Sequence, residues 1–132
     1  MEDALIGFEV AKLAKEKGFH VLCLKSFDSD GYLQINEPLN ENDKCFLNKG
    51  DVCYSAPTQS LLQRWLREEH GLIISIEPTF TYALTTNVGY YAYVKKVNKE
   101  INTLEYLYLD IYFSATYEES LDIGLLEALK LI

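Results

Sequence analysis

Residues 55–71, SAPTQSLLQRWLREEHG, constrain the fold more than any other stretch, because they spell out one complete helix with its start, its apolar stripe and its stop. Ser55 or Thr58 can cap the start, Pro57 is tolerated only in the first turn or just before it, and Gly71 supplies the left-handed residue that ends a helix. At 100° per residue Leu61, Leu62, Trp65 and Leu66 share one side, and Gln63, Arg64 and Arg67 lie opposite. The only tryptophan in the chain therefore reads as a core anchor. Glu69 falls within the apolar arc, but it sits in the final turn, where a carboxylate reaches water. His70 stands just before the glycine stop, where an imidazolium suits the negative end of the helix dipole. None of these features names a reaction.

Both ends of the chain also read as helices. Met1 to Lys17 carries Gly18 as its stop, with Lys15 and Lys17 in the last turn. Ile6, Phe8, Val10, Ala11, Leu13 and Ala14 spread over more than half of its circumference, so other elements should cover it on several sides. At the far end Thr116 and Glu119 have capping-box spacing ahead of a helix from Tyr117 to about Leu131, and Glu118, Glu119 and Asp122 lie near its positive pole. Leu121, Leu125, Ala128, Leu129 and Ile132 form its main stripe. Ile123 and Leu126 point away from that stripe, either beneath a second element or as a small exposed apolar patch.

Between the helices the pattern turns to strands. Phe19 to Leu24 is short and β-rich, and Asp28-Ser29-Asp30-Gly31 followed by Tyr32 to Ile35 predicts a hairpin turn with its return strand. Asp28 and Asp30 invite comparison with a calcium loop, but the third ligand and the later bidentate glutamate are missing. Residues 36–50 are polar and Asn-rich, a surface loop, and Val52 to Tyr54 adds a brief strand. From Leu72 onward alternation replaces helical spacing, with strands at Leu72 to Glu77, Val88 to Lys96 and Ile101 to Phe113. Pro78 limits the first of these, and Asn98-Lys99-Glu100 turns between the other two. In the last strand Leu107, Leu109, Ile111 and Phe113 fall on one face, with Tyr106, Tyr108, Asp110 and Tyr112 on the other. The expected fold is α+β: a single domain over residues 1–132, an antiparallel sheet covered on one face by helices, in the order α-β-β-(β)-α-β-β-β-α.

Composition narrows the function classes. A chain of 132 residues can bury about two-thirds of its extended surface, and 48% hydrophobic with 24% charged residues is the balance of a globular domain. No run approaches the ~20 apolar residues of a bilayer crossing, and acids stand where a secretory leader carries bases, so a cytoplasmic protein without a membrane role is expected. Cys23, Cys45 and Cys53 are odd in number and scattered, which suits reduced thiols. The net charge is −8. Residues 1–54 hold 10 acids against 6 bases, residues 55–100 hold 4 against 5, and residues 101–132 hold 6 against 1. Such a chain repels phosphate backbones, so no direct nucleic-acid partner is expected. Its only basic clusters, Arg64 with Arg67 and Lys95-Lys96 with Lys99, read as solvated faces.

The chemistry-bearing residues form no motif. The seven glycines are dispersed, which excludes a phosphate-cradling loop. His20, Cys23, Cys45 and Cys53 match no zinc spacing, and His20 and Cys23 would lie on opposite faces of a strand. No cofactor and no metal is implied. A hydrolase would have to pair one cysteine with His20 or His70.

The segments ALIGFEVAKLAKEKGF, YSAPTQSLLQRWLREEHG and TYEESLDIGLLEALKLI resemble a family of short uncharacterised proteins from gut bacteria and their phages or mobile elements. The resemblance spans most of the predicted ordered elements and implies one small stand-alone α+β domain. It transfers no catalytic residue.

Seven of the ten tyrosines lie between residues 82 and 112. Tyrosine offers large contact area at low entropic cost, and it is also a favourable strand residue. The expected interaction surface is Tyr90, Tyr91, Tyr93, Tyr106, Tyr108 and Tyr112 on the sheet, with Ile123 and Leu126 on the last helix. The expected function is a non-enzymatic interaction or adaptor module that self-associates or holds a protein partner. The alternatives are an acidic inhibitor that imitates nucleic acid and blocks a DNA-handling protein, and a small cysteine-dependent hydrolase.

Overall fold

The structure, a computed structural model, describes residues 3–21, 23–35, 53–80, 88–108 and 114–132. Helix α1, Phe8–Glu16, is shorter than its apolar pattern. Ahead of it the chain is extended: Leu5 bridges Thr58, Ile6 N–H donates to the Pro57 carbonyl (3.1 Å) and Gln59 N–H to the Ala4 carbonyl (2.8 Å). The Asp3 carboxylate accepts from Ser60 N–H at 3.2 Å. Helix preference is worth at most about 0.7 kcal/mol per residue here, so this pairing with a distant segment prevails. At the other end Gly18, with φ +93°, closes the helix as its sequence requires. Gly18 N–H donates to Lys15 O and Phe19 N–H to Ala14 O, which seats Phe19 fully buried.

The chain divides into two compact units, Met1–Leu62 and Gln63–Ile132. In the first, β1 (Lys25–Asp28), β2 (Leu33–Ile35) and β3 (Cys53–Ser55) form an antiparallel sheet in the order β2-β1-β3. The β1–β2 turn is the expected one, but the strand before it begins at Lys25, and Phe19, His20, Val21, Cys23 and Leu24 stand outside the ladder. Asp28 Oδ1 accepts from both Asp30 N–H and Tyr32 N–H at 2.9 Å, so this carboxylate builds a turn. Gly31 has φ +88°, and a Cβ there would sit 3.1 Å from the Phe8 ring. That ring meets Phe27 and Tyr54 edge-on, each at 5.6 Å, and so covers the β1–β3 face. Lys15 donates to the Cys53 carbonyl at 2.7 Å and lies over the Tyr54 ring.

Helix α2 spans Gln59–His70, so the boundary between the units falls inside it. The Thr58 hydroxyl accepts from Leu61 N–H at 3.2 Å and Gly71, with φ +66°, ends the helix. Leu62 and Leu66 are fully buried, whereas Trp65 is half-buried with its ring edge against His70 at 4.7 Å. Glu69 is exposed.

In the second unit β4 (Leu72–Phe80), β5 (Val88–Asn98) and β6 (Thr103–Tyr108) form an antiparallel sheet in the order β4-β5-β6. Pro78 does not end β4; it pairs with Tyr90, because an edge strand has no need of the missing N–H on its open side. Asn98 Oδ1 accepts from Glu100 N–H (3.1 Å) and Ile101 N–H (3.4 Å), and Asn102 turns with φ +53°. Helix α3, Tyr117–Lys130, starts where Thr116 Oγ1 accepts from Glu119 N–H at 3.1 Å. It packs on β4 and β5 with Leu121, Leu125, Ala128 and Leu129 buried. Gly124 comes so close to the sheet that a Cβ would lie 2.8 Å from Ile74 Cγ2.

The α+β class and the element order match the sequence expectation. Among the described residues the strands form two three-stranded antiparallel sheets instead of joining in one.

Candidate interaction surface

The tyrosines foreseen as one surface are distributed by the pleat of β5. Ile74 and Ala92 face Gly124 of α3, so the residues of even number on β5 point at the helix. Tyr90 belongs to that set. Its ring meets Tyr117 of α3 edge-on at 6.1 Å, its carbonyl accepts from Ser120 Oγ at 3.2 Å, and its main chain pairs with Ser114. Tyr91 and Tyr93 lie on the opposite face, half-buried, across the ladder from Glu77 and Ser75. Tyr106 pairs with Lys95 and Tyr108 with Val94, and the register shift between these two pairs interrupts the unbroken alternation expected over Ile101 to Phe113. Tyr112 lies outside the described residues. Ile123 and Leu126 are half-buried on α3.

A different surface carries most of the large exposed apolar side chains among the described residues. Of the large hydrophobic residues that face solvent, four sit on the β1–β2 hairpin or next to it: Leu24 is 63% exposed, Tyr32 72%, Leu33 49% and Ile35 78%. Leu33 stands beside Phe27 and Phe27 beside Tyr54, so Leu33 prolongs the row that Phe8 covers beyond the reach of Phe8. Among the described residues strand β2 is an edge of its sheet. Asp28 N–H donates to Tyr32 O and Ala56 N–H to Lys25 O, which sets the phase of the ladder. Gln34 directs its main-chain groups toward β1, and Leu33 and Ile35 direct theirs to the open edge. Natural sheets protect such edges with lysine, proline or a bulge. Tyr32-Leu33-Gln34-Ile35 has none of these and no charge.

Beside the hairpin, Ala4, Leu5, Cys23, Leu24, Pro57 and Leu61 contribute to a cleft of about 710 Å³. The Cys23 thiol in its wall is buried and donates to the Val21 carbonyl at 3.4 Å. Burial pushes its pKa up to about 11, against a smaller downward effect of its hydrogen bond with Ser55. That thiol stays protonated at neutral pH and is a poor nucleophile. His20 is exposed. Of the two described cysteines Cys23 is free and Cys53 is disulfide-bonded, so the expectation of reduced thiols throughout does not hold. Cys45 lies outside the described residues.

In the second unit members of the two basic clusters that the sequence separates line one cleft of about 460 Å³, where Arg67, Lys96 and Lys99 meet Glu68, Glu69 and Glu100. The formal charges cancel, so this cleft does not form a phosphate-binding patch. Among the described residues no group of three or more histidine, cysteine or acidic side chains could hold a metal ion, and no helix is long and apolar enough to cross a membrane. Comparison with protein-family models, with curated proteins and with solved structures finds no match to this chain.

Sequence reading did not single out Leu24, Tyr32, Leu33 and Ile35. Their signal was present in a return strand that has apolar residues on both of its faces and no charge. Period-two counting treats that pattern as noise.

Proposed function

We propose that this chain is a non-enzymatic protein-interaction module whose contact surface is the apolar edge of the β1–β2 hairpin. The supporting observation is the concentration of exposed Leu24, Tyr32, Leu33 and Ile35 beside a sheet edge that no other described strand covers. Apolar exposure concentrated along one sheet edge marks contact sites when a fold does not need it for its own core. The chemistry of Cys23 agrees, since a buried thiol with a raised pKa is poorly suited to hydrolysis.

The test compares two tagged chains expressed in the native cell, the wild type and a variant combining Leu24→Ser, Tyr32→Ser, Leu33→Ser and Ile35→Ser. Both should show the same far-UV circular dichroism, and only the wild type should elute as a complex. A variant that unfolds, or a wild type that elutes from cells at monomer mass, overturns the reading.

Tyr91 and Tyr93 support a second contact surface on the same module, because they occupy the face of the second sheet away from α3. Tyr91→Ser with Tyr93→Ser should then weaken complex formation while leaving the hairpin contact intact. An unchanged elution profile removes this surface.

A further inference from the structure

Resting on the interaction-module reading, we infer that the occupant of the hairpin edge is a second copy of this chain, with β2 pairing antiparallel to β2 of the other copy about a two-fold axis at Gln34. Three features of the hairpin converge on this arrangement.

The first is main-chain phase. Leu33 and Ile35 point N–H and C=O outward, so an antiparallel pair centred on Gln34 sets Leu33 of each copy against Ile35 of the other as hydrogen-bonded pairs. The two-fold doubles every bond, and the ladder gains two from each pair. An isologous contact of this kind uses the same patch twice and closes on itself.

The second is side-chain register. Leu33 and Ile35 lie on one face of β2, in line with Phe27 and Lys25 of β1. In the pair each leucine stands opposite an isoleucine, an apolar cross-strand match that continues the Leu33, Phe27, Tyr54 row across the axis.

The third is charge. β2 itself is neutral, whereas the hairpin is polar along its length, with Lys25 at the open end and Asp28 and Asp30 at the turn. Antiparallel pairing brings the acidic turn of one copy toward the lysine end of the other. Parallel pairing would set like ends together, and two chains of net charge −8 otherwise repel.

The contact is short, so the dimer should be concentration-dependent, below the about 1,200 Å² of buried surface that marks stable complexes. Sedimentation of the purified full chain should show mass doubling as concentration rises. A Gln34→Cys variant sharpens the geometry, because non-hydrogen-bonded antiparallel partners have Cα atoms about 4.5 Å apart, within disulfide range. Under mild oxidation it should form a dimer bridged from residue 34 to residue 34, mapped by mass spectrometry. Ser29→Cys, exposed at the turn, should not, since the two turns lie at opposite ends of the paired strands. Leu33→Pro removes an outward N–H and leaves the bonds of Gln34 to β1, so it should keep the circular dichroism spectrum and lose the dimer.

A purified chain that stays monomeric, or equal bridging from residues 29 and 34, overturns the inference. A complex from cells that contains a different protein while the purified chain is monomeric overturns the second copy alone and leaves the module reading standing. Unfolding of the serine variant described above overturns both.

Discussion

The two sheets are each three antiparallel strands, yet they dispose of their apolar side chains in opposite ways. On the second sheet α3 approaches until Gly124 leaves no room for a methyl group beside Ile74 and Ala92, and Leu121, Leu125 and Leu129 are buried. On the first sheet Phe8 covers Phe27 and Tyr54, and the row then runs on through Leu33 into solvent. Similar residue types thus serve a core in one place and a surface in the other, depending on whether an element of the chain arrives to cover them. Exposure of Leu33 and Ile35 costs about 25 cal/mol per Å² of uncovered apolar area, a cost that association would recover.

The comparison breaks first at Leu125. It is a fully buried residue of α3, and Leu125→Ala should lower unfolding stability by about 2–5 kcal/mol, read by urea denaturation. A loss below about 1 kcal/mol would show that α3 is not the closed face described. Gly124→Ala should come next. Alanine favours a helix over glycine by about 1 kcal/mol, but the added Cβ would lie 2.8 Å from Ile74 Cγ2 and 3.1 Å from Ala92 Cβ. Overpacking of this kind costs about 1–3 kcal/mol. A more stable Gly124→Ala protein would refute the close approach of helix and sheet.

Thr116→Ala should cost about 1 kcal/mol, because the hydroxyl satisfies Glu119 N–H at the start of α3. The cap belongs to the closed region. Removing it should leave the hairpin edge, and any self-association, unchanged by sedimentation.

Most of what was legible in the sequence was local. Gly18, Gly31 and Gly71 all adopt positive φ where a stop or turn was expected, and Thr116 caps where its spacing to Glu119 indicated. What was not legible depended on partners far along the chain. Ala4 to Ile6 has helical patterning, but its backbone is claimed by Pro57 and Gln59. The division of the described strands between two sheets depends on pairings that no single strand encodes. The shift between Val94 and Lys95 changes the parity of β6 relative to β5, so counting by twos through Tyr106 and Tyr108 does not carry across it. For the candidate surface, alternation showed which residues share a face but not which faces would be covered. Tyr90 therefore lies against Tyr117, while Ile35 stands open.

Cys23 and Leu24 set the same contrast within two adjacent residues, one buried and the other exposed. Burial holds the Cys23 thiol protonated up to about pH 11, whereas an unfolded chain releases that proton near 9.0. The folded state then binds more protons between these values, so stability present below pH 9 should decline as pH rises toward 11. Denaturation midpoints measured across that window should fall for the wild type and fall less for Cys23→Ala. Alkylation of the native protein at neutral pH should modify Cys23 far more slowly than it does in urea, and equal rates would show the thiol to be open.

The smallest effect is expected at the hairpin edge, and it is the most informative. Leu33→Ser and Ile35→Ser replace large apolar side chains, which in a core would cost several kcal/mol. At Ile35, with 78% of its surface in water, the isolated chain should lose no more than about 0.5 kcal/mol. Leu33, about half-exposed beside Phe27, should lose somewhat more. Measured at low concentration, near-neutral values for both variants would separate this surface from the core that α3 closes. Measured at high concentration, the wild type should gain stability over the variants, because association stabilises only the folded chain. A stability gap between wild type and variants that does not change with concentration would mean that these side chains support the monomer and that the edge has no partner.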